Sequence, residues 1–255
     1  MLIPLAILAA PALAADTGGK FISARMIAQT PQPRPGTTIL IGIVMDPKPG
    51  WHSYWSNPGD AGIAPSAKWT APAGVTFGPL HHPAPTLARV GEDTSFVHGG
   101  RHILLVPMTL SGKMRRGTAL PVTAQLVWGS CTDRACVPER ATLSLRLVAG
   151  SGLPGPDIAL LAAAKAELPK PARPSTYMLG KSTITLRVPS ALGLKAARTH
   201  FFPDSSDFFD AGTAIARTSD TRILITAPFR SKPPYQIGGV ISDGQKAYRL
   251  VFRRD

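Results

Sequence analysis

The stretch Val122-Thr-Ala-Gln-Leu-Val-Trp-Gly-Ser-Cys-Thr-Asp-Arg-Ala-Cys-Val-Pro-Glu-Arg-Ala-Thr-Leu-Ser-Leu-Arg-Leu-Val148 sets the fold class of this chain and holds its only two cysteines. Side chains on an extended strand alternate between faces. Val122, Ala124, Leu126 and Trp128 therefore share one face, and Ala141, Leu143, Leu145 and Leu147 share another against Thr142, Ser144 and Arg146. If the two strands pair as neighbours, Cys131 and Cys136 fall at or near the loop that joins them. Opposed positions that exchange no hydrogen bonds lie about 4.5 Å apart at Cα, the short end of what a disulfide can bridge. Such a bond closes a six-residue loop, for which chain entropy gives only about 2 kcal/mol.

The same pattern of short apolar runs cut by turn residues extends along the chain. Its 24 glycines and 26 prolines are spread throughout, and an all-β protein is expected. Strands are predicted from Thr37 to Met45, Ile103 to Leu110, Val122 to Trp128 and Ala141 to Val148. One helix is predicted, Pro156 to Leu168, with proline at its first turn and an alanine-rich interior. It runs into Pro169-Lys-Pro-Ala-Arg-Pro174, and residues 151–174 read as an interdomain connection. Beyond it, strands at Ser182 to Val188, Arg222 to Ala227 and Tyr248 to Phe252, with a turn at Asp243-Gly244, make a second, smaller β domain over residues 175–255. The two halves are expected to separate at the proline-rich stretch without exposing much apolar surface.

Residues 1–15 form an apolar run ending in small residues, read as a secretory signal cleaved after Ala14 or Ala15, though without the usual positive start. The run falls short of the ~20 apolar residues of a membrane span. What remains is an exported protein in an oxidising, periplasmic setting where neighbouring cysteines persist as a disulfide. The net charge of +13 is untouched by that cleavage, since the first fifteen residues carry no charge. No stretch interleaves aromatics with dense basic residues, so the balance reads as a basic surface suited to acidic partners or anionic lipid rather than nucleic acid.

Spacing alone leaves the cysteine pair open between a structural and a redox-active disulfide. The four-residue spacer between flanking strands does not fit a thioredoxin-like Cys-x-x-Cys at a helix start, and the chain has no second cysteine pair for structural zinc. A second motif bears on the choice: Pro49-Gly-Trp-His-Ser-Tyr-Trp-Ser-Asn-Pro-Gly-Asp-Ala-Gly62, followed by Lys68-Trp-Thr-Ala-Pro-Ala-Gly74. Together with Trp128 to Glu139, it closely resembles the amino-terminal periplasmic domain of the disulfide reductase DsbD, particularly the version in ScsB-type proteins associated with copper tolerance. The resemblance runs from about Phe21 to Val148, and the second half looks like the additional β domain of the ScsB type.

This resemblance implies an immunoglobulin-like β-sandwich over residues 16–150, with Cys131 and Cys136 as a redox pair that passes electrons outward by thiol-disulfide exchange. It implies that Trp51 and Tyr54 lie beside the sulfurs. The segment Gly91-Glu-Asp-Thr-Ser-Phe-Val-His-Gly99 corresponds by order to the family's cap loop, which makes Phe96 the residue covering the disulfide. The spacer between the cysteines is shorter than in DsbD proper. The chain carries neither the membrane domain nor the thioredoxin-like domain of that protein, so a separate membrane-embedded thiol reductase is implied as donor and periplasmic thioredoxin-like proteins as acceptors. No cofactor and no dedicated metal site are expected.

Other residues have ordinary readings beside functional ones. Asp133, Arg134 and Glu139 flank the pair and read either as a solvated loop or, for Arg134, as a support for a thiolate. His81, His82, His98 and His102 invite copper, which makes a copper-binding chaperone a rival reading. A non-catalytic binding or assembly module with a structural disulfide is the other. Phe201-Phe-Pro-Asp-Ser-Ser-Asp-Phe-Phe-Asp210 lacks calcium-loop spacing and reads as a turn covering a core.

Overall fold

The computed structural model describes residues 18–90, 92–210, 212, 214–219 and 222–255; the signal segment expected at residues 1–15, and Gly91 of the expected cap loop, lie outside them. Among the described residues, the protein is all-β apart from one short helix and two 3-10 turns. The amino-terminal half runs through β1 (Ile22–Ala28), β2 (Thr38–Pro47), β3 (Ser53–Gly59), β4 (Ser66–Thr70), β5 (Val75–Phe77), β6 (Thr86–Val90), β7 (Asp93–His98), β8 (His102–Leu110), β9 (Ala119–Cys131) and β10 (Cys136–Val148).

A four-stranded sheet, β1-β2-β8-β5, faces a three-stranded sheet, β10-β9-β4, as an immunoglobulin-like sandwich. Alternation decides what enters the core. Ile41, Ile43 and Met45 of β2 and Leu104, Val106 and Met108 of β8 meet Val122, Ala124, Leu126 and Trp128 of β9, all 0% exposed. Each large side chain so buried stabilises the fold by about 1.5–3 kcal/mol.

The continuous apolar run of β2 has a second use. Its outward Val44, with Ile27 of β1 and Ile103 and Leu105 of β8, is covered by Leu161 and Ala164 of α1 (Ile158–Ala166). Gly42 makes this close approach possible, because a Cβ there would sit 2.7 Å from Leu161 Cδ2. The helix expected to connect two domains thus forms part of the sandwich wall.

The carboxy-terminal half contains β11 (Lys170–Pro171), β12 (Ser175–Leu179), β13 (Thr183–Pro189), β14 (His200–Pro203), β15 (Ile215–Ser219), β16 (Arg222–Pro228), β17 (Gln236–Ser242) and β18 (Ala247–Arg254). They form one sheet in the order β14-β17-β18-β12-β13-β16-β15, with β11 beside β18. The predicted Asp243-Gly244 turn joins β17 to β18, with Gly244 at φ +83°. The Asp243 carboxylate closes it by accepting the backbone N–H groups of Gln245 and Lys246 and, across the fold, that of Lys195. Phe201, Phe202, Phe208 and Phe209 are buried in this half's core, where the expected core-covering turn lies. The same core also takes in Trp55 and Phe96 from the amino-terminal half.

Candidate redox site

The β9–β10 register sets Cys131 directly opposite Cys136, with Cα atoms 4.1 Å apart and the sulfurs joined. Thr132 shapes the connecting loop: its N–H donates to the Ala135 carbonyl at 2.8 Å, and its hydroxyl accepts the N–H groups of Arg134 and Ala135. Asp133 and Arg134 form a solvated pair at 3.8 Å, with side chains 76% and 89% exposed.

The two sulfurs have different surroundings. Cys131 is 2% exposed, whereas Cys136 is open to solvent. Cys131 is held from behind by His52, the two residues exchanging backbone hydrogen bonds at 2.9 and 3.0 Å. Two residues on, Tyr54 places its hydroxyl 3.9 Å from Cys136 Sγ. Burial pushes the Tyr54 phenol up from its ordinary value, so at neutral pH it keeps its proton and is the donor in this contact. Gly62 backs the ring, since a Cβ at that position would stand 2.2 Å from Tyr54 Cε1. Trp51 stacks on Phe21 at 3.7 Å, so of the two motif aromatics it is Tyr54 that reaches a sulfur.

Below the disulfide lies a buried carboxylate. Glu139, 8% exposed, accepts the backbone N–H groups of Lys20, Phe21 and Ile22 and the hydroxyl of Ser130, which in turn accepts Trp128 Nε1–H at 3.0 Å. Burial alone would raise its pKa, but the donors from Ser130, Phe21, Lys20 and Ile22 outweigh it and hold the carboxyl below its ordinary value. Glu139 is therefore no part of a solvated loop. Strand parity carried the signal, because Glu139 shares the inward face with Ala141 and Leu143.

The third sheet, β3-β7-β6, closes the other side of the site. It is apolar on both faces. Tyr54 and Val97, paired across β3 and β7, join Cys131 and Ala88 in one cluster at the disulfide. Trp55, Phe96 and Leu87 occupy the opposite face and join the carboxy-terminal core. The Phe96 ring, expected over the sulfurs, thus packs 5.3 Å from Phe202 and 6.3 Å from Trp55. Its neighbour in the chain, Val97, has the place beside Cys131.

Three of the histidines weighed for copper stack in a row, His98 4.5 Å from His102 and 6.2 Å from His82. His102 donates Nδ1–H to the Gly100 carbonyl and accepts the Ser53 hydroxyl at Nε2. His82 Nδ1 and His98 Nε2 are buried without a partner. Burial lowers all three, His102 to about 4, and neighbouring imidazoles add to it for His82, which falls to about 3, and for His98, which falls well below its ordinary value. Among the described residues, no group of three or more His, Cys, Asp or Glu is placed to hold a metal ion.

This geometry agrees with what the chain resembles. Residues 20–147 match the family described as thiol:disulfide interchange protein DsbD, N-terminal. The chain belongs to that family. The crystal structure of the N-terminal periplasmic domain of ScsB from Proteus mirabilis superposes with a TM-score of 0.69 at 15% identity, covering 91% of this chain and 93% of that one. The yeast GGA1 GAE domain aligns at 12% identity and a TM-score of 0.29, over 52% of this chain and 96% of that one. No curated protein matches. The DsbD family match makes the β9–β10 hairpin part of a thiol:disulfide interchange module. Among the described residues, no helix is long and apolar enough to cross a membrane.

Proposed function

We propose that this protein is a periplasmic carrier of reducing equivalents, cycling Cys131 and Cys136 between a separate membrane-embedded thiol reductase and thioredoxin-like acceptors. The observation that carries this reading is the unequal burial of the two sulfurs beside a protonated phenol. In the reduced protein, the exposed Cys136 thiolate attacks a partner disulfide, and the Cys136–partner bond forms as the partner's other sulfur leaves. Cys131 then attacks Cys136 Sγ and restores the internal disulfide, releasing the partner as a dithiol. Two electrons and two protons have moved outward. Tyr54 serves the step by offering its O–H to the charge on Cys136 Sγ, a contact that favours the ionised sulfur over the neutral one.

Single substitutions test this directly. Cys131→Ser is expected to accumulate a mixed disulfide with an oxidised thioredoxin-like protein through Cys136, and Cys136→Ser is expected to accumulate none. Structural disulfides usually lie below about −300 mV. A reduction potential well under that value, with no exchange in either variant, would establish a structural staple and a non-catalytic module.

A further inference from the structure

The carboxy-terminal half contains no cysteine, yet it is joined to the redox site by a sheet of one-residue thickness. Along β3 and β7, adjacent residues point to opposite faces. Tyr54 and Val97 touch the disulfide's cluster, while Trp55 and Phe96 enter the carboxy-terminal core. Phe202, on the edge strand β14, lies 5.3 Å from Phe96 and 6.4 Å from Trp55, edge-on to both rings. Polar ties surround these aromatics. Asn57, 7% exposed, donates to the Pro203 carbonyl and to Ser206 Oγ, both at 2.8 Å. Asp60 accepts the Thr94 N–H at 2.9 Å and pairs with Arg230 at 2.5 Å, while Arg89 donates to the Gly212 carbonyl.

We propose that the carboxy-terminal half acts as a clamp that holds the β3-β7-β6 sheet closed over Cys131, with Phe202 as its positioning residue, and so sets how readily thiols reach the disulfide. This rests on the cysteine pair being an exchange site, but the clamp itself operates on any thiol. An incoming thiolate that attacks Cys136 Sγ breaks the S–S bond and expels Cys131 as a thiolate. Under the closed sheet, that charge appears among Tyr54, Val97 and Ala88, an apolar setting that disfavours it. Attack on Cys131 Sγ is blocked by the same side chains. Either route is eased when the sheet lifts, and lifting requires Trp55 and Phe96 to leave Phe202.

The test is the rate at which excess dithiothreitol reduces the disulfide in the full chain. Phe202→Leu should speed reduction by about tenfold, since a local opening that costs less is populated more often. Arg230→Gln, which cuts a partly exposed tie, should speed it by about two- to threefold. Phe252→Leu is the control: Phe252 is 0% exposed in the same core and packs on Phe201, with no ring contact to the small sheet. It should lower the melting temperature and leave the rate alone. Unchanged rates in Phe202→Leu and Arg230→Gln overturn the clamp, as does an equal acceleration in Phe252→Leu, which would mean global loosening. Failure of the exchange reading looks different, because the protein would then ignore thioredoxin-like partners while the dithiothreitol rates still separated the variants.

Discussion

A version of the protein ending at Gly150 is expected not to reach a stable fold, although it keeps both sheets of the sandwich and the whole disulfide hairpin. Removing α1 uncovers Ile27, Val44, Ile103 and Leu105, and removing the carboxy-terminal sheet uncovers Trp55 and Phe96. Six large apolar side chains at about 1.5–3 kcal/mol each come to roughly 9–18 kcal/mol if fully exposed. That is as large as the entire stability of a typical domain, about 5–15 kcal/mol. Ending the chain at Leu168 keeps the helix and restores the first four contacts, so this version should fold but melt well below the full chain. Comparative melting of residues 16–150, 16–168 and 16–255 decides the matter. Cooperative unfolding of the shortest version within a few degrees of the longest would show that these contacts contribute little.

Replacing Glu139 by alanine should lower stability by about 3 kcal/mol at pH 7, the order expected when a buried, hydrogen-bonded charge is removed and its donors are stranded. Here the stranded donors are the N–H groups of Lys20, Phe21 and Ile22 and the Ser130 hydroxyl. At about 2–4 °C per kcal/mol, the melting temperature should fall by roughly 6–12 °C. The pH dependence has a definite sign. The folded carboxyl titrates below its ordinary 4.5, so its contribution is complete above that value and is lost as pH drops through the lower, folded one. The gap between wild type and Glu139→Ala should therefore narrow progressively below pH 4.5. A gap that stays constant from pH 7 down to pH 2 would show that the carboxylate's charge is not what the donors hold. The disulfide hairpin should also lose its grip on residues 20–22, which stack Phe21 on Trp51.

What could be read from the sequence was what strand parity and the cysteine spacing determine. The hairpin of Val122 to Val148, the inward run of β9 and the turn at Asp243-Gly244 follow from local patterning alone. The small sheet was harder to see. Its β3 segment, Ser53-Tyr-Trp-Ser-Asn-Pro-Gly59, has a register shift between Tyr54 and Gly59, and its partner β7 lies about forty residues on. Parity does place Phe96 and Val97 on opposite faces, but both faces of this sheet are buried, so parity cannot tell which one meets the sulfurs. The helix misled for a related reason. Ile158-Ala-Leu-Leu-Ala-Ala-Ala-Lys-Ala166 is apolar nearly all round, and a stripe that points everywhere does not announce that Leu161 and Ala164 seat against β2 and β8.

The stacked histidines change what unfolding is as a chemical reaction. His82, His98 and His102 are neutral inside the protein down to pH values well under the ordinary 6.5. Released into water at pH 5, each binds a proton that it could not hold before. Denaturation in mildly acidic solution is thus a reaction that consumes protons, up to three per molecule from this row alone, and the surrounding buffer must supply them. The heat measured will then include the ionisation heat of that buffer, so acetate and histidine buffers at one pH should give different calorimetric enthalpies for the same conformational change.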